Sequence, residues 1–214
     1  TNQKRPYDSI QFLARITDNS EFMEFRPDYG PEVFCGIAKI DGFPVAIVGN
    51  RQGVFPDYPE YAEGAYPGVG GKHYREGLIK QGEFVTLCGR DNLPMIWLQD
   101  TTGIDVGDLA EEAELLGLGQ ALVYSIEQTD IAMMCIVLRK GQAAAHYIMC
   151  GPQANNNNAF TLGTPCTEIC VMHGETAAAA SYARRLIKED EAGNDLAPVV
   201  DKMNQMIQDY QDKS

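Results

Sequence analysis

The sequence predicts an α/β fold whose sheets are covered by helices. Three observations predict it. Short apolar runs at 33–40, 43–49, 93–98 and 131–138 alternate with stretches of helical periodicity, the pattern of strands buried between helices. The first two runs are separated by Asp41-Gly42, a two-residue hairpin signal. The third observation is size and composition: 214 residues, 44% hydrophobic and 22% charged, are enough for a substantial core.

Each element has its own reason. Asp8-Ser9-Ile10-Gln11 reads as an N-cap with Gln three residues on, and Ile10, Leu13 and Ile16 then share one helical face. Asp18-Asn19-Ser20 ends that helix. After the hairpin, residues 51–71 are rich in Gly, Pro and Tyr and read as a long loop, a kind that is usually functional or mobile. A helix is expected over 72–88, then a buried strand over 93–98 running into a loop at 100–107. A helix over 109–124 and a strand over 131–138 follow. The strand ends at Arg139-Lys140-Gly141-Gln142, and the Ala-rich stretch 143–149 reads as a short helix. Beyond a polar loop at 151–158, the pattern gives a strand at 167–172, a helix at 175–188, a linker at 189–194 and a last, mostly polar helix at 197–211.

Seventeen basic residues stand against thirty acidic ones, a formal net charge of -13. That balance lacks the basic footprint a nucleic-acid backbone needs, and it argues against docking by a broad basic surface on anionic lipid. The first residues, Thr1 to Pro6, contain no apolar segment of signal-peptide type. The longest apolar run, 131–138, falls far short of the ~20 residues that span a bilayer. Cysteines 35, 88, 135, 150, 166 and 170 include no C-x-x-C pair, and with only three histidines no zinc spacing appears, so no metal site is expected. Mostly set in apolar runs, they read as buried, reduced thiols of a cytoplasmic protein.

Familiar catalytic motifs are missing. Gly70-Gly71-Lys72-His73 has Tyr66 where a P-loop needs its first Gly, and His73 where it needs Ser or Thr. Gly117-x-Gly119 sits inside a helix and suits helix packing. No Ser lies in a G-x-S-x-G elbow. His146 and His173 have no nucleophile or metal spacing around them and read as structural. Two segments do stand out, 97–107 and 139–145, because each joins the end of a buried strand to the start of a helix. Ligands of α/β folds bind at such strand ends, and the N–H groups of a first helical turn can hold a developing oxyanion.

Several motifs together carry a resemblance. Gly36-x-Ala38-x-Ile40-Asp41-Gly42-x-Pro44-Val45-x-Ile47-Val48-Gly49-Asn50 resembles the hairpin that opens the second half of biotin-dependent acyl-CoA carboxyltransferases. Asn92-x-Pro94-x-Ile96-x-Leu98-Gln99-Asp100-x-Thr102-Gly103-x-x-Val106-Gly107, with Glu112 and Gly117, resembles their central loop and helix. Arg139-Lys140 with the small-residue run and Tyr147-x-Met149-Cys150-Gly151 resembles their biotin-side oxyanion segment. Residues 167–177, with Val171-Met172 and Gly174-Glu175, resemble the next strand and helix. The match covers about residues 7–185 in order. It implies a crotonase-like α/β spiral of ββα units, and it implies that 1–214 is the C-terminal, biotin-side domain of a two-domain subunit whose acyl-CoA half is not in this chain.

Within the family, the long loop Tyr58-Pro59-Glu60-Tyr61-Ala62-Glu63-Gly64-Ala65-Tyr66-Pro67-Gly68 and the Ala-Ala-Ala-His segment resemble the decarboxylase branch, which moves the carboxylate of glutaconyl-CoA onto biotin. The partners this implies are the acyl-CoA half of the same subunit, a second such subunit in a homodimer, a biotin carrier subunit and a membrane decarboxylase subunit that decarboxylates carboxybiotin and pumps sodium. Localisation would then be cytoplasmic, peripheral to the membrane through those partners. Biotin would be the cofactor, carried on another protein. The resemblance places the biotin ureido oxygen on the N–H groups of Ala144 and Ala145, with Thr102, Gly103, Ala143 and Tyr147 shaping the cofactor pocket. Tyr147 aligns with a position that influences substrate choice.

The chain departs from the family's pattern at Ile104, where most relatives have Phe, and at Ala143-Ala144-Ala145, where they carry Gly-Gly-Ala or Gly-Ala-Gly. Alanine takes positive φ only at a cost, so this run is expected to be helical. Carboxyl transfer passes through enolate-like species that need aimed donors and no nucleophile, in keeping with the missing triad. The 51–71 loop is expected to enclose a dicarboxylic acyl chain, with its tyrosines and Arg51 as the first polar groups to test for facing it. The alternatives are the beta subunit of another acyl-CoA carboxylase, a crotonase-type hydratase or isomerase using Glu112 and Glu114, and a module that binds the biotin carrier without turnover.

Overall fold

The computed structural model describes residues 5–151 and 158–211; the expected loop at 151–158 lies almost wholly outside them. The chain divides into two units, Thr1–Thr167 and Glu168–Ser214. In the first, α1 (Ser9–Ile16) is followed by β1 (Met23–Glu24), β2 (Val33–Ile40), β3 (Phe43–Asn50), β4 (Val54–Phe55), β5 (Gly68–Val69) and β6 (Lys72–His73). Then come α2 (Arg75–Arg90), β7 (Met95–Thr101), β8 (Gly103–Ile104), α3 (Asp108–Glu112), α4 (Leu115–Glu127), β9 (Met133–Gln142), α5 (Ala143–Ile148) and β10 (Asn158–Gly163). The second unit holds β11 (Glu168–Cys170), α6 (Gly174–Glu191) and α7 (Ala197–Gln211), the two helices packed on each other.

The main sheet of the first unit has the order β1-β2-β3-β7-β9-β10. The β1–β2 and β2–β3 pairs are antiparallel, while β3–β7, β7–β9 and β9–β10 are parallel. The hairpin turns at Asp41 and Gly42, both at positive φ (53° and 79°), as a type I′ turn requires. The Asp18 carboxylate secures it, accepting the N–H groups of Asp41 (2.9 Å) and Gly42 (2.7 Å). The first helix is capped as expected, with Asp8 accepting the Ile10 N–H at 2.9 Å.

Successive strand residues point to opposite faces, and both faces are buried. Val48 and Trp97 enter one apolar cluster with Leu78, Phe84 and Val85 of α2 and Leu122 and Ile126 of α4. Their neighbours Ile47 and Leu98 enter the other, with Leu13 of α1 and Phe34. Each fully buried aliphatic side chain contributes roughly 1.5–3 kcal/mol. Cys35, Cys88, Cys135 and Cys150 are buried, whereas Cys166 and Cys170 are half-buried.

Four expectations need correction. The helix expected over 109–124 is two helices, because Glu114 adopts a left-handed conformation (φ 60°) between α3 and α4. The helix expected from 72 begins at Arg75, and Lys72–His73 instead forms a short parallel ladder with Gly103–Ile104. The 51–71 loop is partly ordered into the β4–β5 ribbon and a turn of 3-10 helix at Glu60–Ala62. Strand β10 was not foreseen, since its exposed Phe160 and Leu162 show no buried alternation.

Candidate active site at the ends of two parallel strands

Both segments singled out in the sequence leave the sheet side by side. Strand β7 extends through Asp100 and Thr101, and β9 extends through Arg139 to Gln142, further than their apolar runs indicate. After a bulge between Gln99 and Thr101, Thr101 pairs with Gly141. The continuation of β7 (Thr102 and Gly103) therefore starts beside the continuation of β9 (Ala143 to Tyr147).

Charged residues extend these strands because they satisfy one another. Asp100 is fully buried, and its Oδ2 accepts from Arg139 Nε and Nη2, both at 2.8 Å. Its Oδ1 accepts the Lys140 N–H at 3.3 Å and lies 3.8 Å from Lys140 Nζ. The Arg139 guanidinium also lies over the Tyr7 ring, 4.7 Å from its centroid. Burial and the nearby Asp100 carboxylate push the Tyr7 phenol well above its ordinary range. The Asp100 N–H donates to Asn50 Oδ1 (3.0 Å), tying in the end of β3.

Thr102 and Gly103 are held from the other side. The Thr102 N–H and the Thr101 hydroxyl both donate to Gly71 O at 2.8 Å. Gly103 sits at φ 141°, where a side chain would be strained, with open space at its Cβ position. Asp105, nearly fully buried, accepts from Lys72 Nζ (2.7 Å), Tyr66 OH (2.6 Å) and Tyr61 OH (3.0 Å). Burial alone would raise its pKa, but those donors bring it below the ordinary carboxylate value.

This corrects the expectation that Arg51 and the loop tyrosines face a substrate. Tyr61 and Tyr66 are engaged by Asp105, Tyr58 is buried, and Arg51 donates to Glu24 at 2.7 and 2.9 Å. Asp105 itself is a residue that sequence reasoning missed; its partners lie 33 to 44 positions away.

On the β9 side, α5 packs on β7, β8, β9 and α4. Ala143 takes φ 53°, so the expectation of a fully helical run fails at its first residue. A left-handed L-residue costs roughly 1–2 kcal/mol. The physical reason is the sharp exit from β9: the chain must turn within one residue after Gln142. Ala143 and Ala144 are exposed and Ala145 is fully buried. Ala144 and Ala145 lie in the first helical turn, where amides have no carbonyl four residues back within the helix. Tyr147 is 46% exposed.

The remaining candidates lie elsewhere. Glu112 and Glu114 are both exposed, which gives no enclosed acid/base pair for a hydratase. His73 is fully buried between Asn50 (3.3 Å) and Gln81 (3.2 Å), and burial brings its pKa down to about 4. Lys72 of the rejected P-loop is paired with Asp105, and Gly119 packs on Ile104. In the second unit, His173 Nδ1 lies 2.9 Å from Glu168. Among the described residues no group of side chains could hold a metal ion, and no helix is long and apolar enough to cross a membrane.

The ends of β7 and β9 thus bring Thr102 and Gly103 beside the first turn of α5. The chain belongs to the carboxyl transferase domain family, whose model matches residues 1–214. It is 57% identical over 213 residues to the alpha subunit of glutaconyl-CoA decarboxylase from Acidaminococcus fermentans, across all of this chain and 36% of that protein. The beta chain of methylcrotonoyl-CoA carboxylase from Dictyostelium discoideum is 28% identical over 175 residues, 82% of this chain and 26% of its own length. Among solved structures, the beta subunit of P. aeruginosa geranyl-CoA carboxylase superposes with a TM-score of 0.79 at 23% identity, covering 99% of this chain and 36% of that one. The fold is thus the crotonase-like α/β arrangement expected. The chain spans about a quarter to a third of the length of the curated relatives it matches.

Proposed function

We propose that this chain is the biotin-side part of a carboxyltransferase that moves the carboxylate of glutaconyl-CoA onto biotin held by a carrier protein. The relative at 57% identity supports the glutaconyl thioester over the other acyl-CoA substrates of the family. The acyl-CoA half, a second copy of the subunit, the biotin carrier and a membrane decarboxylase subunit are its proposed partners. The single observation that carries the reading is the pairing of Thr101 with Gly141, which sets Thr102 and Gly103 beside Ala143 to Ala145.

The residues present fit a flat, neutral ring. Ala143 and Ala144 are exposed and small, and a Cβ at Gly103 would meet nothing within 4 Å. When bound, biotin supplies the ureido nitrogen that accepts the carboxylate. The chain's own part is electrostatic: the Ala144 and Ala145 N–H groups hold the ureido oxygen as negative charge develops on it. The buried Asp100–Arg139–Lys140 cluster fixes the two strand ends, so these donors need no reorganisation during the reaction. Thr102, Gly103, Ala143 and Tyr147 border the cofactor, and Tyr147 also influences substrate choice.

Ala145→Pro tests this directly, because it deletes one N–H of the first helical turn, where no intrahelical hydrogen bond is lost. In the full-length enzyme, carboxyl transfer to biotin should fall by about two orders of magnitude or more, the size of a lost oxyanion donor. Circular dichroism and an unchanged melting temperature establish that the variant is folded. Near-normal turnover by the folded variant refutes the assignment.

A further inference from the structure

We infer that Gln99 and His146 form a clasp that sets the orientation of α5, making His146 a positioning residue for the carboxyl transfer proposed above, through its Nδ1–H. The inference rests on that reading for its functional consequence, but its geometry stands alone.

Gln99 is fully buried near the end of β7. Its Nε2 donates to two carbonyls at the far side of α5, His146 O (3.0 Å) and Met149 O (2.6 Å). Carbonyls only accept, so the amide has one possible orientation, and Oε1 faces His146 Nδ1 at 2.7 Å. An amide oxygen only accepts as well. The imidazole must therefore carry its proton on Nδ1, and Nε2 keeps its lone pair. Burial lowers the His146 pKa, which favours this neutral form.

One side chain of the sheet thus makes two hydrogen bonds to His146 within a helix of six residues and a third to Met149 at its C-cap. So short a helix has little hold on its own geometry. It also begins at the strained Ala143, a conformation that persists only when its surroundings over-determine it. The clasp is that constraint. Gly141 makes room for it, since a Cβ there would lie 2.8 Å from His146 Nδ1.

Two measurements test the clasp. Histidine nitrogen NMR on the chain, which has only three histidines, reads the tautomer without any reference to activity. His146 should show a protonated Nδ1 and an unprotonated Nε2, and Gln99→Met should abolish that signature; an Nε2–H form in the unaltered chain overturns the clasp. The second measurement uses the full-length enzyme. Asparagine places its amide nitrogen where Nδ1 was, whereas glutamine reaches toward the Nε2 position. His146→Asn should keep carboxyl transfer within about threefold, while His146→Gln and His146→Phe lower kcat about tenfold or more at unchanged KM for the acyl-CoA, the scale of one lost hydrogen bond. Equal loss in all three, or retention by His146→Phe, overturns the positioning role. If Ala145→Pro also leaves transfer intact, the site itself is misplaced; if Ala145→Pro abolishes transfer and His146→Phe does not, only the clasp fails.

Discussion

Two buried polar regions of this molecule are built on opposite terms. At the end of β7 and just past β8, Asp100 and Asp105 are surrounded by donors: Arg139 and the Lys140 amide for one, Lys72, Tyr61 and Tyr66 for the other. Beneath the start of α2, the Glu32 carboxylate accepts the Tyr74 N–H at 3.1 Å. Its Oε2, the Glu76 Oε2 and the Tyr58 hydroxyl are buried there without a hydrogen-bond partner. Gly77 presses on the same carboxylate, so closely that a Cβ could not be fitted between them. Burial pushes the Glu32 pKa up to about 7, although the hydrogen bond from the Tyr74 amide pulls it down. The first region keeps charge in a dry place by pairing it; the second accommodates an acid whose neutral form persists well above the ordinary carboxylate range. The difference teaches that burial alone does not mark a reactive group, and that the strand ends are the part built to stay fixed.

The largest effect should come from breaking the paired region. Asp100→Asn leaves Arg139 and Lys140 without their counter-charge. Removing one partner of a buried pair typically costs about 3–5 kcal/mol, which urea denaturation at neutral pH would read. A loss below about 1 kcal/mol would mean the cluster is effectively solvated.

A somewhat smaller effect separates the regions by pH. The Glu32 pKa is raised in the folded state, from the ordinary 4.5 to about 7. Its contribution is therefore fully present below about pH 4.5 and is lost as pH rises through 7. Over that window it amounts to about 3 kcal/mol. Asp105 acts with the opposite sign, because its folded pKa is lowered: its contribution is present above pH 3.8 and is lost as pH falls through the folded value. His73 also opposes Glu32, being held neutral with a pKa near 4, so the readout is a difference between two proteins. Stability of the unaltered protein minus that of Glu32→Gln should decline from pH 5 to 8. A flat difference would show that Glu32 is ionised throughout.

The smallest effect sharpens the account of the paired region. Ala143→Gly relieves the left-handed strain but increases the freedom of the unfolded chain. The two terms nearly offset, leaving a gain of about 0.5 kcal/mol. A loss of stability would show that the exit from β9 is not strained.

Much of this was legible in the sequence. The Asp41-Gly42 turn, the apolar runs of β2, β3, β7 and β9, and the two strand-end segments are local patterns. The rest depends on partners far along the chain. Asp100 and Arg139 look like loop residues because charge signals solvent, and only a contact across 39 positions makes them strand residues. The tyrosines of 51–71 look available until Asp105 is seen to hold two of them. Glu114 gives no warning of a helix break, since glutamate is a good helix former. Ala143 is the instructive case: residue propensity favours a helical conformation there, while the sharp exit from β9 gives it a left-handed backbone.

The central claim is that biotin sits against the start of α5, and Ala144→Phe tests it most directly. Ala144 is exposed, so a phenyl ring there fills the proposed cofactor space without disturbing the core. Ala180→Phe, also exposed but on α6 in the second unit, is the control. In the full-length enzyme with biotin as acceptor, the account predicts that Ala144→Phe lowers kcat/KM for biotin about a hundredfold or more, the scale of a displaced reactant. Ala180→Phe should leave it unchanged, and both variants should keep the melting temperature of the unaltered enzyme. Equal kcat/KM in the two folded variants would contradict the claim.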